Sequence, residues 1–285
     1  MFSDVLLTVD YDRTLTAQDS TIPQRNLEAI RYFMENGGAF TVNTGRSLPM
    51  THVFRDVVPV NAPLLLYNGA LSYDHNRGAL CSCHVLDLPA EQTIREMMLD
   101  FPDLTLEVQG MDFHYAFRKN PMWEAFSDYS SCPWAYAEPG DDLGPFLKFT
   151  FYGPIHSAVL GEMFRGTEEE VARMKQAEAE LRRRFGDKCE IFRSGKIIDL
   201  QPKGLSKNTA ARELQRQLGR EILVCVGDGD NDVAMLQGAD YGFCPADAFV
   251  ADMFENVCNC AEGSIADVIY KKIPEILEKE LDNGV

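Results

Sequence analysis

Two short apolar runs, far apart in the chain, each stop at a cluster of carboxylates. Val5-Leu6-Leu7-Thr8-Val9 runs straight into Asp10-Tyr11-Asp12, and Ile222 to Val226 runs through Gly227 into Asp228, Asp230 and Asp232. A short, continuous, β-branched run reads as a strand buried on both faces, the kind found in parallel sheets. Like charges crowded beyond such a strand raise at least one carboxyl pKa, so the pattern is costly unless something uses it. In open α/β sheets, ligands bind beyond the carboxyl ends of the strands, which is where both clusters fall.

The rest of the chain fits that reading at both ends. Pro23 suits a first helical turn, Leu27, Ile30, Phe33 and Met34 recur at helical spacing, and Gly37-Gly38 stops the helix. A second strand over residues 39–43 enters Thr44-Gly45-Arg46, and a third over 63–67 enters Asn68-Gly69. Alternating strands and helices are the rhythm of an α/β sheet. The rhythm breaks over residues 80–200, where short strand-like pieces (147–152 and 190–193) accompany a charged helix spanning 168–185 with a stripe of Val171, Met174, Ala177 and Leu181. It then resumes, with a helix over 207–218, the strand 222–226, a helix starting over 231–237 and an acidic helix over 274–281. The expected fold is therefore α/β: a Rossmann-like parallel-sheet core domain, discontinuous over residues 1–79 and 201–285, with an inserted α+β cap domain over 80–200 that would act as a lid.

Charge narrows the function classes. With 44 acidic residues against 27 basic ones, the net charge of −17 opposes a nucleic-acid partner. It leaves room for a small phosphorylated metabolite, since a few cations can make one pocket locally positive. The pairs Cys81/Cys83 and Cys258/Cys260 lack zinc-ligand spacing, so the eight cysteines read as reduced structural thiols. The segment MFSDVLLTVDYD has no basic start or long apolar stretch, and no apolar run approaches the ~20 residues of a membrane span. The expectation is a cytoplasmic protein with no membrane partner.

Each motif alone admits a plainer reading. Asp10 and Asp12 could cap the following helix. Asp228 to Asp232 could be a Gly-Asp turn or a calcium loop, although an EF-hand's later Glu is missing. Thr44 could be a helix cap, or could hold phosphate oxygens with nearby backbone N–H groups. Lys207 could be solvated, yet a cation at a helix start opposes the helix dipole and hints at an anionic partner.

Together the four motifs resemble the haloacid dehalogenase superfamily. Its Asp-x-Asp-x-Thr motif is matched by Asp10, Asp12 and Thr14, its second by Thr44 with Gly45-Arg46, its Lys by Lys207, and its Gly-Asp-x-x-Asn-Asp by Gly227, Asp228, Asn231 and Asp232. Asn68-Gly69 also fits. The insertion is similar to the type 2 cap of the Cof-like sugar-phosphate phosphatases. The resemblance implies a Mg2+-dependent phosphatase acting on small phosphate monoesters, sugar phosphates or similar metabolites, through an aspartyl-phosphate on Asp10. It implies Asp12 as general acid and base; Thr44, Gly45, Arg46, Lys207 and Asn231 at the phosphate; Mg2+ on Asp10, Asp228 and the Asp12 backbone carbonyl; and Asp232 orienting the Lys and the metal's surroundings. Many relatives have Gly where this chain has Arg13, and Lys203 competes with Lys207 for the third motif.

Two rival readings use the same scaffold: a phosphotransferase or phosphomutase passing the phosphoryl group to a second substrate, and a non-catalytic phosphate-binding protein. The second should have lost part of the machinery, and here all of it is present. The inserted segment is rich in aromatics (Phe113, His114, Tyr115, Phe117, Trp123, Phe126, Tyr129, Trp134 and Tyr136), which either line a leaving-group pocket or fill a cap core. Residues 119–139 read as a specificity loop.

Overall fold

The computed structural model describes residues 1–130, 132–156 and 166–283. Five strands, β1 (Val5–Val9), β2 (Ala39–Val42), β12 (Ile222–Val226), β13 (Tyr241–Pro245) and β14 (Glu255–Val257), form a parallel sheet in the order β14-β13-β12-β1-β2. All of β1 and β2 and nearly all of β12 is buried, as continuous apolar strands require. Register does the decisive work. Val9 is level with both Val226 and Val42, so Asp10, Asp228 and Thr44 all leave the sheet at one edge. Two backbone bonds extend that alignment, Asp10 N–H to Val226 O at 2.8 Å and Asn43 N–H to Val9 O at 2.8 Å.

A small antiparallel sheet, β3 (Leu64–Leu66), β4 (Leu71–Asp74) and β5 (Ala79–Cys83), hangs from the end of β2 through a parallel bridge between Asn43 and Leu65. The expected core–cap boundary at residues 79/80 falls at the start of β5. A six-stranded sheet then follows: β6 (Thr105–Gly110), β7 (His114–Ala116), β8 (Trp134–Tyr136), β9 (Phe146–Tyr152), β10 (Cys189–Ser194) and β11 (Ile197–Pro202), in the order β10-β11-β9-β6-β7-β8. Every pair in it is antiparallel except β7–β8.

One face of this sheet is apolar. Leu106, Val108, Phe149, Phe151, Ile198 and Leu200 are buried with the helices Ala90–Asp100 and Glu168–Phe185. The second helix lies over the residues the sequence predicts. Its stripe of Met174, Ala177 and Leu181 is buried and gains Phe185, while Val171 is half-buried. Thr167 and Glu170 form a capping box, and three Glu in the first turn and three Arg in the last match the helix dipole.

Within the segment read as a loop over 119–139, the described residues include a helix and a strand, β8, packed around an aromatic core. Asn120 caps a helix, Pro121–Tyr129, by accepting from the N–H groups of Met122 and Trp123. The Trp123 ring is fully buried, with Trp134 edge-on at 5.0 Å. Its indole N–H donates to buried Glu107 at 3.3 Å, which also accepts from Tyr152 and pairs with His114. A buried carboxylate that can accept several bonds draws these rings together, which apolar counting along a sequence does not reveal.

The small three-stranded sheet and the six-stranded sheet are tied by polar contacts. Tyr67, buried with φ of 52°, donates through its hydroxyl to Gly110 O at 2.8 Å. Tyr67→Phe should lower stability by about 1–2 kcal/mol in urea unfolding, because the carbonyl loses a buried donor while the ring packing stays.

Candidate active site

The site forms where the carboxyl edge of the five-stranded sheet faces the six-stranded sheet. On the core side, Lys207 is the centre. Ser206 caps the helix Lys207–Gln217 in a reciprocal capping box with Thr209, which places Lys207 in the first turn. Its ammonium, 1% exposed, donates to Asp10 Oδ1 at 2.6 Å and Asp232 Oδ1 at 2.7 Å. Asp232 in turn accepts, through Oδ2, from the N–H groups of Asp228 at 3.2 Å and Gly229 at 3.0 Å. Two glycines make this possible. At Gly69 (φ +99°) a Cβ would sit 2.6 Å from Ser206 O, and at Gly227 one would sit 2.5 Å from Asp232 Cβ. Lys203, the alternative lysine, is half-exposed and donates to Gly186 O and pairs with Glu190 at 3.2 Å, away from the cluster.

Asp10, Asp228 and Asp232 bring carboxylate oxygens within 4.8 Å of one another, all buried. Desolvation raises the Asp10 pKa to about 7; Lys207 lowers it, and the Asp232 and Asp12 charges push it back up. Asp228 is also held well above the usual carboxylate range, first by burial and then by Asp10 and Asp232. Burial works against the charge of Lys207, but Asp10 and Asp232 outweigh it and hold the ammonium's pKa up. The cluster is therefore short of positive charge. Buried oxygens at this spacing, destabilised when ionised, suit a hard divalent cation. The carboxylate of Asp12 is not one of the three.

Asp12 is taken by Arg46 instead. Nε and Nη2 of that guanidinium each donate to one Asp12 oxygen at 2.8 Å, a bidentate pair. Burial opposes the Arg46 charge, but Asp12 holds its pKa up. The Arg46 guanidinium also lies 4.9 Å from the Tyr11 ring centroid. Thr44 is buried, its hydroxyl accepting from Arg46 N–H at 3.2 Å. Arg13 takes a left-handed backbone, φ 59°, a conformation that costs a non-glycine residue about 1 kcal/mol. Its Nε donates to Asp228 Oδ2 at 3.3 Å, and its guanidinium stacks 4.5 Å above the Phe249 ring.

Asp10, Asp12, Thr44, Gly45, Arg46, Asp228 and Asn231 all line one cavity of about 140 Å3, with Lys207 and Asp232 behind them. The opposite wall comes from the cap sheet and includes Gln109, Lys148, Thr150, Tyr152 and Asp199. Lys148 donates to Asp199 Oδ2 at 3.1 Å and across to Gly45 O at 3.0 Å, while Asn68 donates to Asp199 Oδ2 at 3.3 Å. None of these cap residues is singled out by the sequence reading. The available signal is the alternation in Phe146-Leu147-Lys148-Phe149-Thr150-Phe151-Tyr152, which puts Lys148, Thr150 and Tyr152 on the face opposite Phe149 and Phe151. Of the cap aromatics considered from sequence, Phe126 lines the cavity; Trp123 is core, and the Tyr129 side chain lies outside the described residues. Among the described residues no helix is long and apolar enough to cross a membrane.

Comparisons with known proteins agree with this architecture. A family model described as haloacid dehalogenase-like hydrolase matches residues 7–251. The chain is similar to a 5-amino-6-(5-phospho-D-ribitylamino)uracil phosphatase of Bacillus subtilis, at 20% identity over 83% of this chain and 84% of that protein. It is also similar to a phosphoglycolate phosphatase of Thermoplasma volcanium, at 25% identity over 85% of each. Among solved structures, a haloacid dehalogenase-like hydrolase from Bacteroides thetaiotaomicron superposes with a TM-score of 0.75 at 20% identity, covering 94% of this chain and 98% of that one. A subclass IIB sugar phosphatase of the same superfamily does so with a TM-score of 0.75 at 18% identity, covering 93% and 97%. At these identities the structural likeness speaks for the fold.

Proposed function

This chain belongs to the haloacid dehalogenase-like hydrolases and is a phosphatase of that family, and from that membership we propose that it hydrolyses small phosphate monoesters through a covalent intermediate on Asp10. The observation that carries the proposal is the Asp10–Lys207–Asp232 chain at the sheet's carboxyl edge, facing the Arg46–Asp12 pair across one cavity. The core is proposed to comprise residues 1–79 and 201–285, and the cap residues 80–200.

In the first step an Asp10 oxygen attacks phosphorus, the bond to the leaving oxygen breaks, and Asp12 gives that oxygen its proton. In the second, water attacks the phosphorus of the acyl phosphate, Asp12 takes the water's proton, and the Asp10 carboxylate and inorganic phosphate are released. Arg46 holds both oxygens of Asp12 in this structure, so Asp12 must turn one oxygen away from the guanidinium to carry and deliver the proton, which frees Arg46 to join Thr44, Gly45 and Asn231 on the phosphate's side of the cavity. Lys207 neutralises charge on Asp10 and on the phosphoryl oxygens, and Asp232 orients the Lys. Asp10, Asp228 and the backbone carbonyl of Asp12 would hold Mg2+, which when bound offsets repulsion between Asp10 and phosphate and stabilises charge in the transition state.

The test is phosphate release from p-nitrophenyl phosphate and a panel of sugar phosphates, with Mg2+ and with EDTA. Metal-dependent release of inorganic phosphate is the expected result. An isomerised ester without free phosphate would instead identify a mutase.

Metal binding should also depend on pH. Asp10 carries a proton in the folded protein below about pH 7, so a cation must displace it there. Mg2+ affinity, measured by calorimetry, should weaken at least about tenfold per pH unit below that value, because Asp228, also held above the usual carboxylate range, must lose its proton too. A flat profile between pH 5 and pH 8 would remove Asp10 from the metal site.

A further inference from the structure

Arg13 is the residue for which the mechanism above has no use. Three cations line the cavity: Arg13, Arg46 and Lys148. Arg46 spends its Nε–Nη2 edge on both oxygens of Asp12, and Lys148 is held between Asp199 and Gly45 O. The Arg13 guanidinium is engaged, among the described residues, only through Nε, in a 3.3 Å bond to Asp228. It is 16% exposed and rests on the face of Phe249, itself 66% exposed, so the pair stands where the cavity meets solvent. The stack restrains the side chain without using its terminal amino groups. Asp228 is shared with the acidic cluster, so a divalent cation bound there would weaken its hold on Arg13 and leave the guanidinium open to another anion. Local propensity does not favour an arginine at this left-handed position, and backbone outliers of this kind cluster at active sites and ligand clamps.

We propose that Arg13, held on Phe249, recognises a second anionic group on the leaving alcohol, so that this phosphatase selects phosphate monoesters carrying a carboxylate or another phosphate over neutral polyol phosphates. The proposal rests on the phosphatase reading above and adds the substrate class to it. A planar guanidinium with two free amino groups matches both anions, each able to accept a forked pair of bonds.

Matched substrate pairs test it. Specificity constants are measured for 3-phosphoglycerate against glycerol 3-phosphate, which separates a carboxylate, and for fructose 1,6-bisphosphate against fructose 6-phosphate, which separates a second phosphate. In the native protein at least one doubly anionic member should be preferred. Arg13→Gln should lower that preference by about 10- to 100-fold, the worth of a hydrogen bond to a charged group, and Arg13→Lys should restore part of it. Calorimetry on Asp10→Asn, with and without Arg13→Gln, reads the same preference as affinity without turnover. It therefore distinguishes failure of the specificity assignment from failure of the hydrolase reading. A native preference for the neutral members, an equal loss for both members in Arg13→Gln, or equal affinities in the Asp10→Asn background would overturn the proposal. An equal loss would place Arg13 at the transferred phosphoryl group instead.

Discussion

Asp10→Asn is expected to abolish Mg2+-dependent phosphate release, by at least ~10^3-fold, while leaving the metal-free protein more stable above pH 7. The first half follows from the loss of the attacking carboxylate; an amide of the same shape fills the site without being a nucleophile. The second half follows from linkage. The Asp10 pKa is raised from 3.8 to about 7 in the folded state, so folding binds a proton in that window. The stability linked to that proton is present below about pH 4 and is lost as pH rises through 7. Asparagine is neutral throughout and escapes the loss. Thermal melts at pH 5 and pH 8, in EDTA, read this directly. A variant that lost activity and was also less stable at pH 8 would mean that the Lys207–Asp10 attraction outweighs desolvation, and that Asp10 is chiefly a structural counter-ion.

Lys207→Met should have the second-largest effect, and in both properties at once. The substitution keeps most of the side chain's volume but leaves Asp10 and Asp232 buried without the ammonium that joins them. Removing one partner from a buried ion network costs about 3–5 kcal/mol, more than an exposed pair ever does. The cost should shrink toward pH 5, where Asp10 is already protonated. Turnover should fall by ~10^2- to 10^3-fold, the usual effect of losing one donor to developing negative charge. Lys203→Met is the control, because that lysine is half-exposed and sits on Gly186 O and Glu190. If the two variants behaved alike, the assignment of the third motif to Lys207 would be wrong. Urea unfolding at the two pH values together with steady-state kinetics checks both halves.

How much of this was legible beforehand depended on the range of the information. Val5–Val9, Ile222–Val226 and the helix Glu168–Phe185 lie where their apolar spacing puts them, because burial of one face or one stripe is written into consecutive residues. The carboxylates at the two strand ends could be read for the same reason: a buried strand that stops at clustered Asp is conspicuous locally. Residues 119–139 misled because their order comes from elsewhere. Glu107, on a strand outside that segment, gathers Trp123, Tyr152 and His114 into a core that no local pattern announces.

What could be read along the chain was thus the central strands β1, β2 and β12, the longer helices and the acidic edge, whereas β13, β14 and most of the inserted sheet were not. Which cation answers which carboxylate was set by the folded arrangement: Lys207 for Asp10 and Asp232, Arg46 for Asp12, Arg13 for Asp228 and Lys148 for Asp199. Periodicity is a property of neighbours along the chain and survives in one dimension. Pairing depends on the register of β1 against β2 and β12 and on how the cap sheet docks over that edge, which bring together charges that the chain keeps far apart.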